Sequence, residues 1–257
     1  MLKTPLTFIA SLAAALLACG GPTQSAPPAA QQDGPATPAT AAPAVEAPQR
    51  AAVQDAVAAA PAVYTTLHED ARVRVVDMRL DPGVTDGIHS HPDEIVYFVK
   101  GGKAHIALPD GNAMDVDLPD GHVLSHEGWT HTVSNTGDAP IRAIIVELQQ
   151  PTGKRAAVAD GKRADQTSSD VYKELHSDER VRVLEMVLKA GQKDDAHGHP
   201  DEVVYFLKGG KARITLPDGK VMELEIPDGH ILSNEAWEHT VENIGDTDIH
   251  AIIWELT

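Results

Sequence analysis

GVTDGIHSHPDEIVYFVKGG, residues 83–102, returns 108 residues later as GQKDDAHGHPDEVVYFLKGG, residues 191–210. The same offset holds without a gap across residues 64–148 and 172–256, and 51 of these 85 positions are identical. Agreement at one fixed offset indicates an internal duplication. We call residues 64–148 copy 1 and residues 172–256 copy 2.

Both copies consist of short runs in which apolar and polar residues alternate. Turn residues separate these runs; Pro109 and Pro119 begin Pro-Asp-Gly turns in copy 1, and Pro217 and Pro227 begin the same turns in copy 2. Alternation with a period of two between turns predicts β-strands. No segment of either copy has the period of a long amphipathic helix. We therefore predict an all-β fold with two tandem compact antiparallel β-sandwiches or barrels.

Each copy carries three histidines and one glutamate at spacings that suit one metal ion. His89 and His91 alternate along one strand, so their side chains project from the same face. Glu94 joins them if Pro92 bends the chain, and an antiparallel fold can bring His131 across from a later strand. The predicted ligands in the two copies are His89, His91, Glu94, His131, His197, His199, Glu202 and His239.

These ligand types favour a divalent transition metal. Three imidazoles and a carboxylate leave open positions on Fe(II), Mn(II), Ni(II) or Co(II), and Zn(II) fits with fewer ligands. We predict up to two ions per chain, and the sequence leaves the identity of the metal open.

The two copies resemble cupin domains. The first cupin motif runs Gly, five residues, His-x-His, three or four residues, Glu, six residues, Gly, and the residues that match it are Gly83, His89, His91, Glu94 and Gly101. Only two residues separate His91 from Glu94. Asp93 or Asp201 therefore stays open as a replacement ligand, as does a site of three histidines and water.

The second cupin motif is matched at Gly121, His131 and Asn135, whereas Glu127 and Trp129 stand where the motif has Pro and Gly. Copy 2 shows the same matches and departures. The resemblance covers nearly all of both copies and implies a bicupin, in which two jelly-roll domains pack about a pseudo-twofold axis and each holds one metal ion.

The N-terminal segment has the layout of an export signal, with Lys3 ahead of an apolar run over residues 6–18. The sequence Leu-Leu-Ala-Cys at residues 16–19 resembles the lipobox of bacterial lipoproteins, which implies acylation of Cys19. The same resemblance implies, from Gly20 after the cysteine, sorting to the outer membrane, facing the periplasm. Cys19 is the single cysteine of the chain, so the chain forms no intrachain disulfide and no thiolate metal cluster.

Composition sets the predicted boundaries. Residues 1–19 form the lipoprotein signal peptide, and residues 20–60, rich in Ala and Pro, form a disordered tether. Cupin domain 1 then spans residues 61–148, a linker spans 149–170, and cupin domain 2 spans 171–257. The net charge of −17 argues against nucleic acid and anionic membrane surfaces as partners.

Neither copy contains a Ser-His-Asp order, a phosphate-binding loop or a cysteine nucleophile. The resemblance implies a small-molecule metalloenzyme of the oxygenase, decarboxylase or isomerase type. A non-catalytic periplasmic module that binds a metal or small ligand is the alternative, followed by a metal-free envelope scaffold.

Several further residues recur or differ near the predicted ligands. Trp129 and Trp237 precede a ligand histidine by two positions and could line a pocket. We interpret the other recurring histidines, His68, His176, His122 and His230, as structural, and Glu127 and Glu235 as solvated turn residues. If the two sites differ, His126, which is Asn234 in copy 2, is one of the positions where the difference should lie.

Overall fold

The structure is a computed structural model that describes residues 53–149, 158 and 162–256. The signal peptide predicted for residues 1–19, the acylation of Cys19 and most of the predicted tether lie outside the described residues. In the ranges that are described, the helices are single turns of four residues, and none could span a bilayer.

Strands dominate both copies. Copy 1 and the residues before it contain β1 (Gln54–Asp55), α1 (Ala56–Ala59), β2 (Tyr64–Glu69), β3 (Val73–Leu80), β4 (His89–His91), β5 (Glu94–Lys100), β6 (Gly102–Ala107), β7 (Ala113–Leu118), β8 (Val123–His126), β9 (Trp129–Asn135) and β10 (Ile141–Leu148). Copy 2 and the residues before it contain α2 (Ala164–Thr167), β11 (Tyr172–Ser177), β12 (Val181–Leu188), β13 (His197–His199), β14 (Glu202–Lys208), β15 (Gly210–Thr215), β16 (Val221–Ile226), β17 (Ile231–Asn234), β18 (Trp237–Asn243) and β19 (Ile249–Leu256).

Each copy is built from two sheets that face each other. In copy 1 the outer sheet has the strand order β1-β4-β9-β6-β7, and the contact sheet has the order β2-β3-β10-β5-β8. In copy 2 the outer sheet is β13-β18-β15-β16 and the contact sheet is β11-β12-β19-β14-β17. The named strands pair antiparallel, apart from the short parallel pair of β1 and β4. The predicted all-β fold of two tandem β-sandwiches is confirmed.

The contact sheets are buried on both faces. Val76 and Ile145 point into the core between the two sheets of copy 1, whereas Val75 and Ile144 point away from it toward copy 2. Side chains alternate between the faces of a strand, so a strand covered on both sides is almost entirely apolar. The two contact sheets pack face to face around Trp254, and this arrangement fits the predicted pseudo-twofold pair.

Secondary structure is present ahead of both predicted domain boundaries. Residues 54–59 form β1 and α1 within the predicted tether, and α2 lies within the predicted linker of residues 149–170. Ala56 and Ala164 in these helices are fully buried against the cores of their copies. A single turn with one small buried residue leaves no amphipathic pattern to read, which is why composition assigned both turns to linkers. The duplication thus extends upstream to Ala56 and Ala164.

Gly101, the last residue of the first motif, lies against the backbone at the end of β7. A Cβ atom at Gly101 would lie 1.9 Å from the carbonyl oxygen of Leu118, and one at Gly209 would lie 1.9 Å from that of Ile226. No side chain fits at this distance from a backbone oxygen. The close approach explains why the motif ends on glycine in both copies.

Candidate metal centre

Three histidines meet inside each copy. His89 and His91 lie on β4, and the antiparallel register with β9 places His131 directly opposite His89. One ring nitrogen from each of the three lies within 4.8 Å of the others, and His197, His199 and His239 form the same arrangement in copy 2. All six side chains are buried, with at most 5% of any residue exposed.

The glutamate reaches the histidines from the opposite sheet. The chain bends at Pro92 and Asp93, so β4 belongs to the outer sheet and Glu94 begins β5 of the contact sheet. Glu94 is 2% exposed, and its Oε2 lies 3.4 Å from Nδ1 of His91. The indole Nε1 of Trp129 donates a 2.6 Å hydrogen bond to Oε1 of Glu94. The bend expected at Pro92 is therefore what turns Glu94 inward.

Asp93 and Asp201, the alternative ligands, point elsewhere. Oδ1 of Asp93 accepts a 2.8 Å hydrogen bond from the backbone N–H of Gly128, and Oδ2 lies 3.4 Å from Nη1 of Arg180 in copy 2. Asp201 makes the matching contacts with the backbone N–H of Ala236 and with Arg72. Both aspartates hold loops and the contact between copies, whereas the glutamates lie beside the histidines.

The ligand histidines are oriented by partners on their outer nitrogens. Nδ1 of His91 lies 2.7 Å from Oε1 of Glu147, and Nδ1 of His89 lies 2.7 Å from the carbonyl oxygen of Gly87. Arg74 donates from Nε to the other oxygen of Glu147. Such partners fix the tautomer of a histidine so that its Nε2 can bind an ion, and here the two Nε2 atoms lie 3.0 Å apart. In copy 2 the corresponding set is Glu255, Asp195 and Arg182.

Buried atoms without hydrogen-bond partners cluster at these two sites. In the parts of the chain that are described, six buried side-chain N or O atoms have no partner, and four of them are Oε2 of Glu94, Nδ1 of His131, Oε2 of Glu202 and Nδ1 of His239. A buried unpaired polar atom costs about 1–3 kcal/mol. A cation would satisfy acceptors of this kind, so the donor set of each copy fits a divalent metal.

The electrostatics keep one histidine neutral. Burial and the neighbouring His89 and His91 lower the pKa of His131 to about 2, and the pKa of His239 is likewise lowered to about 2. Burial acts against protonation of His91 as well, but Glu147 and Glu94 raise its pKa. The imidazoles of His131 and His239 therefore keep a free lone pair at any physiological pH.

A buried tyrosine and aspartate next to the histidines were missed by sequence reasoning. The hydroxyl of Tyr64 donates a 2.7 Å hydrogen bond to Asp86 and lies 3.3 Å from Nε2 of His89. Tyr172 and Asp194 repeat this contact in copy 2. Burial and the charge of Asp86 raise the pKa of Tyr64 well above its ordinary value, so the hydroxyl keeps its proton.

Two signals in the sequence could have revealed these partners. Asp86 is kept as Asp194 although the residues on both sides of it change between the copies. Glu147 and Glu255 are the single acidic residues of β10 and β19 and are flanked by apolar residues. A charge buried in a core strand requires a partner, and here the partner is a ligand histidine.

A cavity opens beside the histidines in each copy, and the two cavities differ in size. The cavity of copy 1 is about 180 Å³ and that of copy 2 is about 50 Å³. In copy 1 it extends along β7, where Met114, Val116 and Leu118 line it. The walls are apolar, and the lining side chains include neither lysine nor arginine.

Trp129 forms one wall of the cavity in copy 1, as its position in the sequence allowed. Its ring lies 3.9 Å from that of His131 and stacks on His126 at 4.2 Å, both between centroids. At the equivalent of His126, Asn234 instead donates a 3.1 Å hydrogen bond to Oε1 of Glu202. The expected difference between the sites is therefore present at this position.

The remaining residues singled out in the sequence lie away from the ligands. Glu127 and Glu235 are exposed, as expected of turn residues. His68 and His176 pair with Asp70 and Asp178. His122 and His230 lie near the rings of Phe98 and Phe206.

No protein-family model matches the sequence, and no curated protein matches it significantly. Among solved structures, AerE from Microcystis aeruginosa is similar over 76% of this chain and 97% of its own, with 14% identity and a TM-score of 0.52. A variant of oxalate decarboxylase from Bacillus subtilis is similar over 75% of this chain and 71% of its own, with 17% identity and a TM-score of 0.56. The same enzyme at pH 4.6 gives 16% identity and a TM-score of 0.55 over 75% and 70% of the two chains.

These likenesses establish the fold. Each solved structure matches about three quarters of this chain, which is more than a single copy contains. Together with the two histidine triads, they confirm the tandem cupin fold that the sequence motifs implied. At identities of 14–17% they show the fold alone.

Proposed function

We propose that this protein is a metal-binding bicupin in which each copy holds one divalent transition-metal ion, and that copy 1 is a small-molecule metalloenzyme site. The observation that carries the proposal is the pair of buried histidine triads, each with a glutamate beside it and with two buried polar atoms that have no hydrogen-bond partner. The proposed ligands are His89, His91, Glu94 and His131 in copy 1, and His197, His199, Glu202 and His239 in copy 2.

Three nitrogen ligands and one oxygen ligand suit Mn(II), Fe(II), Co(II) or Ni(II) better than a closed four-sulfur or all-oxygen site would. Another of the similar structures is that of Bacillus subtilis oxalate decarboxylase, and its description refers to the Mn(II) centres of that enzyme. Mn(II) is therefore the first metal to test. When bound, such an ion supplies a Lewis-acidic or redox centre with open coordination positions.

The residues around the ligands support chemistry on a small, mostly apolar molecule with one oxygen-bearing end. The cavity of copy 1 has apolar walls and neither lysine nor arginine among its lining residues, so a dianion such as oxalate would find no lysine or arginine to pair with there. The hydroxyl oxygen of Tyr64, which keeps its proton, lies 3.3 Å from Nε2 of the ligand histidine His89. This environment favours an oxygenase, decarboxylase or isomerase reaction in which the walls exclude water.

A second role is favoured for copy 2. Its cavity of about 50 Å³ is less than a third as large as the cavity of about 180 Å³ in copy 1. For copy 2 we therefore propose a non-catalytic metal-binding site. A metal-free scaffold is disfavoured because it would leave four buried polar atoms unpaired in the two sites.

We also propose that the protein is an exported lipoprotein, acylated at Cys19 and anchored in the outer membrane facing the periplasm. The support is the segment at residues 16–19 and the apolar run before it. Multiple acyl chains anchor a protein stably. Mass spectrometry of the N-terminal peptide from cells would detect the acyl groups.

The proposal is tested by elemental analysis of the full chain, purified without added metal or a His tag. We expect two equivalents of transition metal per chain, one for each triad. The paired variant His89→Ala/His197→Ala should lose both and still unfold cooperatively, because the apolar cores remain. Absence of metal from the wild-type protein, including after incubation with Mn(II), would overturn the proposal.

A further inference from the structure

Besides their apolar contact, the two copies touch through the sequence His-x-Asp-x-Arg. This sequence occurs in each copy just before β3 or β12. In copy 2 its three named residues are His176, Asp178 and Arg180. Oδ1 of Asp178 accepts hydrogen bonds from the backbone N–H groups of Arg180 (2.8 Å) and Val181 (3.0 Å). The aspartate thus shapes the turn from which Arg180 extends into copy 1.

Arg180 contacts three residues of copy 1. Its Nη1 donates to the carbonyl oxygen of His126 at 3.1 Å and lies 3.4 Å from Oδ2 of Asp93. Its Nη2 donates to Oγ of Ser125 at 2.6 Å, and that hydroxyl donates in turn to Asp178 at 2.6 Å. The side chain of Arg180 is 16% exposed, so these contacts are only weakly screened by solvent.

The residues that Arg180 holds surround the proposed ligand Glu94. Asp93 immediately precedes Glu94, and His126 on β8 is the register partner of Glu94 on β5. His126 also stacks on Trp129, which donates the 2.6 Å hydrogen bond to Glu94. One arginine of copy 2 therefore fixes both backbone segments that place the carboxylate in copy 1.

The reverse contact is made by Arg72 of copy 1. Arg72 donates to the carbonyl oxygen of Asn234 at 2.9 Å and to Oγ of Ser233 at 2.6 Å, and it lies 3.3 Å from Asp201. Asn234 and Asp201 surround Glu202 as His126 and Asp93 surround Glu94. The arginine binds a backbone oxygen at position 126 or 234, so the contact survives the change from histidine to asparagine.

We infer that Arg180 and Arg72 are positioning residues that act across the interface between copies, each holding the glutamate of the other copy in place for metal binding. The inference rests on the proposed metal sites. It gives the interface a second role besides burial of apolar surface, because neither site reaches its full affinity without the turn of the other half. Partners outside the ligand shell commonly contribute about 10–100-fold to metal affinity.

The test measures one site at a time in the full chain. In a His197→Ala/His199→Ala background only site 1 binds, and Mn(II) is titrated into it while free Mn(II) is followed by electron paramagnetic resonance. We expect Arg180→Ala to weaken Mn(II) binding by about 10-fold and Arg72→Ala to change it by less than about 2-fold. In the mirrored background, His89→Ala/His91→Ala, the two arginine variants should exchange their effects.

A spectroscopic measurement separates positioning from general loosening of the fold. With Co(II) at site 1, Arg180→Ala should alter the visible absorption bands, because loss of Glu94 from the ion changes its coordination, and Arg72→Ala should not. Ser125→Ala, which removes one partner of Arg180 and keeps the charge, should act in the same direction to a smaller extent. Equal effects of Arg72→Ala and Arg180→Ala on site 1, or no effect of either, would overturn the inference.

Hydrogen exchange of the metal-free protein tests the contact independently of metal. Arg180→Ala should increase exchange of the amides of residues 123–128 in copy 1 and leave residues 231–236 in copy 2 unchanged. Unchanged exchange at residues 123–128 would also overturn the inference. If the site 1 background binds no Mn(II) while the exchange result holds, the proposed metal function fails and the positioning contact between copies stands.

Discussion

The two copies share the side chains at the proposed metal site but differ in the size of the cavity beside it. The side chains around the histidines recur in both copies with nearly equal distances. Nδ1 of His91 lies 2.7 Å from Oε1 of Glu147, and Nδ1 of His199 lies 2.6 Å from Oε1 of Glu255. The cavities beside them measure about 180 Å³ in copy 1 and about 50 Å³ in copy 2. The duplication thus kept the chemistry that can hold a metal and varied the space available to a ligand.

The size of the cavity should decide which copy admits a small chelating ligand. In the Mn(II)-loaded protein, acetohydroxamic acid should bind with one equivalent per chain, in copy 1, because the cavity of copy 2 is less than a third as large. His89→Ala should abolish this binding, and His197→Ala should leave it in place. Isothermal titration calorimetry measures the stoichiometry, and two equivalents would remove the distinction between the copies.

The buried aspartate should make the metal-free protein sensitive to pH. Burial raises the pKa of Asp194 from 3.8 to about 6. A raised pKa means that its contribution to stability is fully present below about pH 4 and is lost as the pH rises through about 6. A shift of this size corresponds to about 3 kcal/mol of unfolding free energy.

Asp194→Asn should remove that part of the pH dependence, and urea unfolding of both proteins without metal from pH 4 to 8 measures it. Burial also raises the pKa of Asp86, so Asp86→Asn should change the dependence in the same direction. Parallel stability curves for wild type and Asp194→Asn would contradict the assignment and identify other groups as the source.

The smallest expected difference in Mn(II) affinity between the two sites comes from position 126 and its equivalent, position 234. Asn234 donates a hydrogen bond to Glu202, whereas no hydrogen bond joins His126 to Glu94. Since one hydrogen bond contributes about 1 kcal/mol, Asn234→Ala should weaken Mn(II) binding at site 2 by about 5-fold. His126→Ala is the matched control and should change site 1 by less than about 2-fold. Equal losses at both sites would show that the two residues play the same part.

Much of the site could be predicted because the signals are local. His89 and His91 are two residues apart on one strand, so their common direction follows from strand geometry alone. The bend at Pro92 was predictable because proline disfavours continuation of a central strand. Glu147 and Tyr64 were missed because their roles depend on which strand crosses behind the histidines, and 56 residues separate Glu147 from the histidine it orients.

The sequence by itself determined the duplication, the all-β class, the tandem cupin resemblance and the histidines and glutamate that converge in each copy, because each of these depends on residue type, period or spacing. Only the tertiary structure decided the size of the two cavities, the orientation of Asp93 toward the other copy and the reciprocal contacts of Arg72 and Arg180. These features depend on how distant segments pack, since side chains far apart in the sequence become neighbours only when the sheets meet.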